Sequence, residues 1–186
     1  MLHIYYGNGK GKTTAAVGLA VRAAGAGMKV GFFQFLKNGS SSEIAVLKKL
    51  DSIEVFCCDK CNKFTFSMNE QELDEITQQH TEMLKKAVEL LNNDEIQLLI
   101  LDEFLDAYNK KLIDMEFADY FIDNTVNKGE VVMTGRTPTE KLRETADYLT
   151  EMIAVKHPYT MGISARKGIE YLKLPQSCGS FLCHVF

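Results

Sequence analysis

The apolar run Leu2-His3-Ile4-Tyr5-Tyr6 breaks into Gly7-Asn8-Gly9-Lys10-Gly11-Lys12-Thr13-Thr14, and Ala15-Ala16-Val17-Gly18-Leu19-Ala20 follows at once. A strand, a glycine-rich turn and a helix in immediate succession leave few folds open. The glycines let successive backbone N–H groups turn inward, and the helix behind them offers the unpaired N–H donors of its first turn. Lys12 adds a mobile positive charge and Thr13 a hydroxyl suited to magnesium, so the stretch is expected to hold a polyphosphate. Its contacts are assigned to Gly7, Asn8, Gly9, Lys10, Gly11, Lys12, Thr13 and Thr14. A glycine turn without a ligand has no use for Lys12 and Thr13 at these offsets. In the common Gly-x-x-x-x-Gly-Lys-Thr pattern the first glycine falls here at Tyr6, which marks a subclass with its own geometry before the loop.

Beyond the loop, strand and helix patterns alternate. Strands are expected at Lys29 to Phe35, Ile53 to Phe56, Ile96 to Leu101, Glu130 to Thr134 and Tyr148 to Ile153. Helices are expected at Glu43 to Leu50, Phe117 to Asn127 and Glu140 to Ala146, with Pro138 opening the last and Pro158 interrupting a loop. Leu73, Ile76, His80, Met83, Ala87 and Leu90 recur at steps of three and four, which predicts a long helix over Glu70 to Asn92 with one face on a sheet. Apolar strands separated by helices imply an α/β fold with a mostly parallel sheet covered on both faces and ligands beyond the carboxyl ends of its strands. The 186 residues show no biased linker or internal repeat, so residues 1–186 are read as one domain.

At the end of the most apolar strand stand Asp102 and Glu103. Facing the loop across the sheet, Asp102 is expected to hold magnesium directly or through water, with Thr13, and Glu103 to orient a hydroxyl or assist the metal. The alternative is that the pair merely caps the next helix, around Ala107. Thr134-Gly135-Arg136 closes a later strand in the same way, and Arg136 is placed to reach a polyphosphate oxygen. Lys10, Lys12, Arg22 and Lys29 cluster in sequence near the loop. The formal charge of -4 disfavours a broad nucleic-acid surface while permitting such a local positive pocket. No apolar run is long enough for a membrane span, and the strand pattern directly after Met1 leaves no room for a targeting peptide, so a cytoplasmic location is expected.

Five cysteines, at 57, 58, 61, 178 and 183, do not suit a disulfide framework. Cys58 and Cys61 have the spacing of two zinc ligands, but no second pair repeats it, and free thiols are expected. Phe64 and Phe66 alternate within the polar segment Lys60 to Ser67, as core plugs or as rings beneath a flat apolar ligand. The apolar tail, with Leu174, Phe181, Leu182, Val185 and Phe186, would pack back on the domain or across a dimer, and the basic loop from Tyr159 to Tyr171 would suit an active-site cover.

Taken in order, Gly7 to Ala16, Gln34-Phe35, Lys37, Phe64-Thr65, Leu101-Asp102-Glu103, Thr134-Gly135-Arg136, Val155 to Tyr159 and Lys167 to Tyr171 resemble the P-loop ATP:corrinoid adenosyltransferases. The resemblance spans almost the whole chain. It implies a RecA-like homodimeric enzyme that moves the 5'-deoxyadenosyl group of ATP to the Co(I) centre of cobalamin or a related corrinoid, releasing triphosphate. Lys12, Arg136 and Glu103 would then be catalytic and Arg22 would join the nucleotide contacts. The co-substrate would be ATP with Mg2+, and the electron would come from a donor such as a flavodoxin or reduced flavin. Phe64 and Phe66 match the aromatic segment that lies under the corrin ring and removes its lower axial ligand, which favours four-coordinate Co(II). The second aromatic is commonly tryptophan in relatives, and this chain has none. Two other classes fit the loop itself: a nucleoside kinase, which would release ADP, and a regulatory nucleotide-binding module with no product.

Overall fold

The computed structural model describes residues 1–63 and 65–169. Phe64 and the apolar tail, with Cys178 and Cys183, lie outside the described residues, as does the end of the Tyr159 to Tyr171 loop. Six strands, β1 (Leu2–Tyr6), β2 (Val30–Gln34), β3 (Ile53–Cys57), β4 (Leu98–Asp102), β5 (Glu130–Gly135) and β6 (Tyr148–Glu151), form one sheet in the order β3-β2-β4-β5-β1-β6. Every pairing is parallel, so all six carboxyl ends share one edge. The central strand β4, Leu98-Leu99-Ile100-Leu101-Asp102, is buried at every position, as a strand covered on both faces must be.

Alternation along the strands builds two cores. Phe32, Ile100 and Val132 face the layer of α1 (Lys12–Gly25) and α2 (Ser42–Leu47). There Ala16, Ala20 and Ala23 give α1 a narrow apolar stripe that lies close on the sheet. Phe33, Leu99, Leu101 and Met133 face the other way, against α3 (Glu70–Asn92), α4 (Phe104–Asn109) and α5 (Met115–Asn124). A short α6 (Glu140–Thr145) leads into β6. The long helix begins as its sequence directs: Asn69 Oδ1 accepts from the Glu72 N–H at 2.9 Å and the Glu72 carboxylate accepts from the Asn69 N–H at 3.0 Å.

Four local expectations change. Phe117 to Asn127 is not one helix, because the Asp114 side chain caps α5 earlier and the chain ends it in a separate 3-10 turn at Val126–Lys128. Pro138 does not open α6; Thr139 is its N-cap and the proline precedes it. Pro158 starts a one-turn 3-10 helix, Pro158–Met161, where its missing N–H costs nothing. The fourth is a charge grouping: Lys29 lies just before β2, at the amino edge of the sheet, away from the loop it was grouped with. No helix among the described residues is long and apolar enough to cross a membrane.

Candidate active site

The loop from Gly7 to Gly11 leaves the carboxyl end of β1, between β5 and β6. It is latched on both sides by backbone. The Gly7 N–H donates to Arg136 O at 2.9 Å and the Gly9 N–H to Met152 O at 2.7 Å, while Asn8 Oδ1 accepts from the Ala154 N–H at 3.1 Å. This closeness explains the glycines. A Cβ on Gly7 would lie 2.4 Å from Met152 O, and one on Gly9 would lie 2.7 Å from the same carbonyl. Gly7 and Gly11 also hold φ of 114° and 116°, open to glycine at little cost. Tyr6, standing where the common pattern has its first glycine, is buried at the end of β1 with the Arg143 guanidinium over its ring at 4.8 Å.

Thr13 lies in the first turn of α1, and its hydroxyl donates to Asp102 Oδ1 at 2.8 Å. The Thr134 hydroxyl donates to the same oxygen at 2.7 Å, and the Gln34 side-chain amide donates to Asp102 Oδ2 at 3.1 Å. Three strands therefore converge on one fully buried carboxylate. Lys37 completes the group, with Nζ 3.6 Å from Asp102 Oδ2 and 2.9 Å from Glu103 Oε1. Burial alone would lower the Lys37 pKa, but the attraction of Asp102 and Glu103 outweighs it and holds the amine above its ordinary range.

Glu103 occupies the N-cap position of α4 with φ 62°, yet its side chain makes no capping bond. The capping alternative therefore fails at the side chain: the carboxylate turns to Lys37, and its backbone N–H donates to Thr134 Oγ at 2.9 Å. Lys12 folds back on the loop, with Nζ donating to Gly9 O at 2.8 Å. Burial lowers the Lys12 pKa, and the nearby positive charge of Arg136 acts in the same direction against Glu103. Arg136 is thus close enough to Lys12 to be felt, and its backbone is fixed by the Asp106 carboxylate, which accepts from the Arg136 N–H at 2.9 Å. Lys10 and Thr14 are exposed.

The structure does not bring Arg22 to this group. It is exposed in the last turn of α1, about 15 Å along the helix from Lys12 at the usual rise per residue. There it faces the negative end of the helix dipole, a role its charge fills without a nucleotide. Phe66 lies in a 3-10 turn, Thr65–Ser67, and is 87% exposed, so it is no core plug. Lys37, Gln34 and Thr134 were not assigned to the site from sequence. The signal for Gln34 and Thr134 is a polar residue closing an otherwise apolar strand, Val30-Gly31-Phe32-Phe33-Gln34 and Val131-Val132-Met133-Thr134, whereas Lys37, just past β2, carries no such signal. The Met152 backbone had no signal, since any residue there offers the same carbonyl.

Hard oxygen donors, the Thr13 hydroxyl and the Asp102 carboxylate, fit a magnesium ion beside a bound polyphosphate. Asp102 already accepts three hydrogen bonds and faces Lys37, so it is better equipped to orient Thr13 and a metal-bound water than to act as a bare ligand.

Comparison with known proteins bears on the family and the fold. A corrinoid adenosyltransferase of Pseudomonas aeruginosa is 34% identical over 172 residues, covering 92% of this chain and 83% of its own length. One from Escherichia coli strain K12 is 31% identical over 168 residues, covering 90% and 84%. Among solved structures, the ATPase 2 and 3 region of EssC from Geobacillus thermodenitrificans superposes with a TM-score of 0.52 at 16% identity, over 90% of this chain and 34% of that one. This last likeness bears on the fold alone, a RecA-like α/β sheet. The family model for ATP:corrinoid adenosyltransferase BtuR/CobO/CobP matches residues 1–171, and the chain belongs to that family of enzymes.

Proposed function

We propose that this enzyme transfers the 5'-deoxyadenosyl group of ATP to the Co(I) centre of a corrinoid. The observation that carries the reading is the Thr13–Asp102 pair behind a glycine cradle, in a chain whose relatives are corrinoid adenosyltransferases. In the step itself a cobalt–carbon bond forms at C5' as the C5'–oxygen bond breaks, and the electron pair leaves on the triphosphate.

Reduced cobalt is a strong nucleophile, so no general base is needed. The protein's task is to hold C5' in line with the metal and to exclude water and oxidants. Charge grows on the departing triphosphate, and this is where fixed positive groups act. Lys12, released from Gly9 O, and Arg136 would neutralise it, while the N–H groups of Lys10 to Thr13 cradle its oxygens. A magnesium ion held by Thr13, with Asp102 orienting that hydroxyl and a metal-bound water, would add Lewis-acid stabilisation of the same leaving group. Glu103 is available to orient a nucleotide hydroxyl, with Lys37 fixing its carboxylate. Phe66, exposed on its turn, suits a flat apolar face such as a corrin ring. A homodimer and a flavodoxin or reduced-flavin electron donor complete the proposal.

The test is the product. Anaerobic incubation with ATP, magnesium and a chemically reduced Co(I) corrinoid should yield adenosylated corrinoid and intact triphosphate in equal amounts. ADP formed with a nucleoside acceptor would instead mark a kinase, and ATP binding with neither product a regulatory module.

A further inference from the structure

Away from the phosphate loop, α3 carries one residue that its apolar face does not explain. His80 is fully buried among Ile76, Met83, Leu84 and Ala87. Two thiols meet it. Cys58 follows β3 and Cys61 lies one turn later; both are buried, and their sulfurs and a ring nitrogen of His80 lie within 4.8 Å of one another. We propose that Cys58, Cys61 and His80 form a zinc site that staples the loop after β3 to α3.

The imidazole is already set for the task. Its Nδ1 lies 2.9 Å from Leu112 O, and a carbonyl can only accept, so Nδ1 carries the proton. Nε2 is left with a lone pair, which accepts from the Leu36 N–H at 3.2 Å, and lies 3.7 Å from Cys61 Sγ. A ring N–H anchored on a backbone carbonyl is the usual support behind a metal-ligating histidine. Tetrahedral zinc with bonds of about 2.3 Å to sulfur and 2.0 Å to nitrogen sets its ligand atoms about 3.5–3.8 Å apart. The Cys61–His80 edge has that length as it stands. The Cys58–Cys61 edge, 2.8 Å, needs to open by about 1 Å, within reach of a small side-chain rotation.

The competing arrangement is a neutral hydrogen-bonded group, with Cys58 donating to Gln79 Oε1 at 3.1 Å and the Leu36 N–H donating to His80 Nε2 at 3.2 Å. Zinc would replace the second bond by coordination, and the Leu36 N–H would turn to the Cys61 thiolate, whose sulfur lies 3.7 Å from the same ring nitrogen. Among the described residues no fourth histidine, cysteine or carboxylate joins the three. The fourth position is thus open to water or to an exogenous ligand.

Such a staple ties together two parts of the site. Leu36 precedes Lys37, which holds Asp102 and Glu103, and the chain after Cys61 leads within a few residues to the turn of Phe66. Bound metal would therefore order the Phe66 segment and the backbone of Lys37 together.

Reduced, chelator-stripped protein, free of corrinoid, is titrated with Co2+. One equivalent should produce thiolate-to-metal charge transfer and the intense visible bands of tetrahedral cobalt, and equimolar zinc should abolish them. Co2+ held by Thr13 and Asp102 would have oxygen ligands and weak bands only, so the two sites are told apart spectroscopically. The double variant Cys58→Ser/Cys61→Ser should lose the bands while Asp102→Asn keeps them, and zinc should raise the melting temperature of the parent and of Asp102→Asn but not that of the double variant. Absence of the tetrahedral spectrum in protein with fully titratable thiols would overturn the site. So would its persistence in the double variant, or a Cys58–Cys61 disulfide in metal-free protein purified under reducing conditions. None of these readouts depends on adenosylation, so the site can fail while the proposed function stands, and the reverse.

Discussion

Lys12 carries the one loop charge that burial already perturbs. Here its ammonium is shared with a carbonyl of its own loop, and burial holds its pKa below the ordinary lysine range. A triphosphate would supply the missing negative charge and raise the pKa again. Binding that requires protonated Lys12 is therefore fully present below the free-enzyme pKa and lost as pH rises through it. ATP affinity measured from about pH 7 to 10 should fall earlier than an ordinary lysine would allow, and Lys12→Arg, which stays charged, should remove that decline. Lys12→Ala should keep the fold, checked by its circular dichroism, and lower adenosylation of chemically prepared Co(I) corrinoid on the order of a hundredfold, equivalent to about 3 kcal/mol of leaving-group stabilisation. Asp102→Asn removes charge at nearly constant volume. The magnesium concentration for half-maximal rate should rise about tenfold, with little change in ATP affinity measured without metal. An unchanged midpoint would reduce Asp102 to a structural acceptor for Thr13, Thr134 and Gln34.

On the proposed function, the two substrates fall to different elements of the chain. The nucleotide elements, β1, its loop and α1, are rigidly latched to the Met152 and Arg136 backbones. The 3-10 turn of Phe66 is held from outside, through Lys110 Nζ donating to Thr65 Oγ at 3.0 Å, and exposes its ring. Their separation makes Phe66→Ala a selective probe. ATP affinity should stay at the parent value, whereas corrinoid binding should weaken by about 1 kcal/mol for the lost aromatic contact. The four-coordinate Co(II) fraction with ATP present, read by absorption or paramagnetic resonance, should drop more than binding does. Activity with supplied Co(I) should suffer less, since that species needs no ligand removal. Equal four-coordinate fractions at equal occupancy would leave Phe66 without this role.

Across the whole molecule, the parallel sheet gathers residues distant in sequence at one edge because every strand runs the same way. Its centre is also where stability concentrates. Ile100→Ala on β4, fully buried against the α1 layer, should cost about 2–5 kcal/mol in urea unfolding while leaving the polar edge chemically intact. The phosphate loop, the long helix, the strand series and the acidic strand end were legible from residue order, because each rests on local patterns: glycine and helix-start chemistry, a period of 3.6 or an apolar run. The family likeness was equally legible, since its motifs lie in order along the chain. What only the tertiary structure decided is which polar groups meet. Arg22 sits beside the loop in sequence, but ten residues of helix carry it away. Lys37 and Gln34 lie far from Asp102 in sequence, and the pairing of β2 with β4 brings them onto its carboxylate. Likewise His80 reads as one more position on an apolar helix face until the fold sets two cysteines against it. Sequence spacing encodes neighbours within an element, whereas the contacts of a buried charge or thiol depend on strand order and layer packing, which no local pattern records.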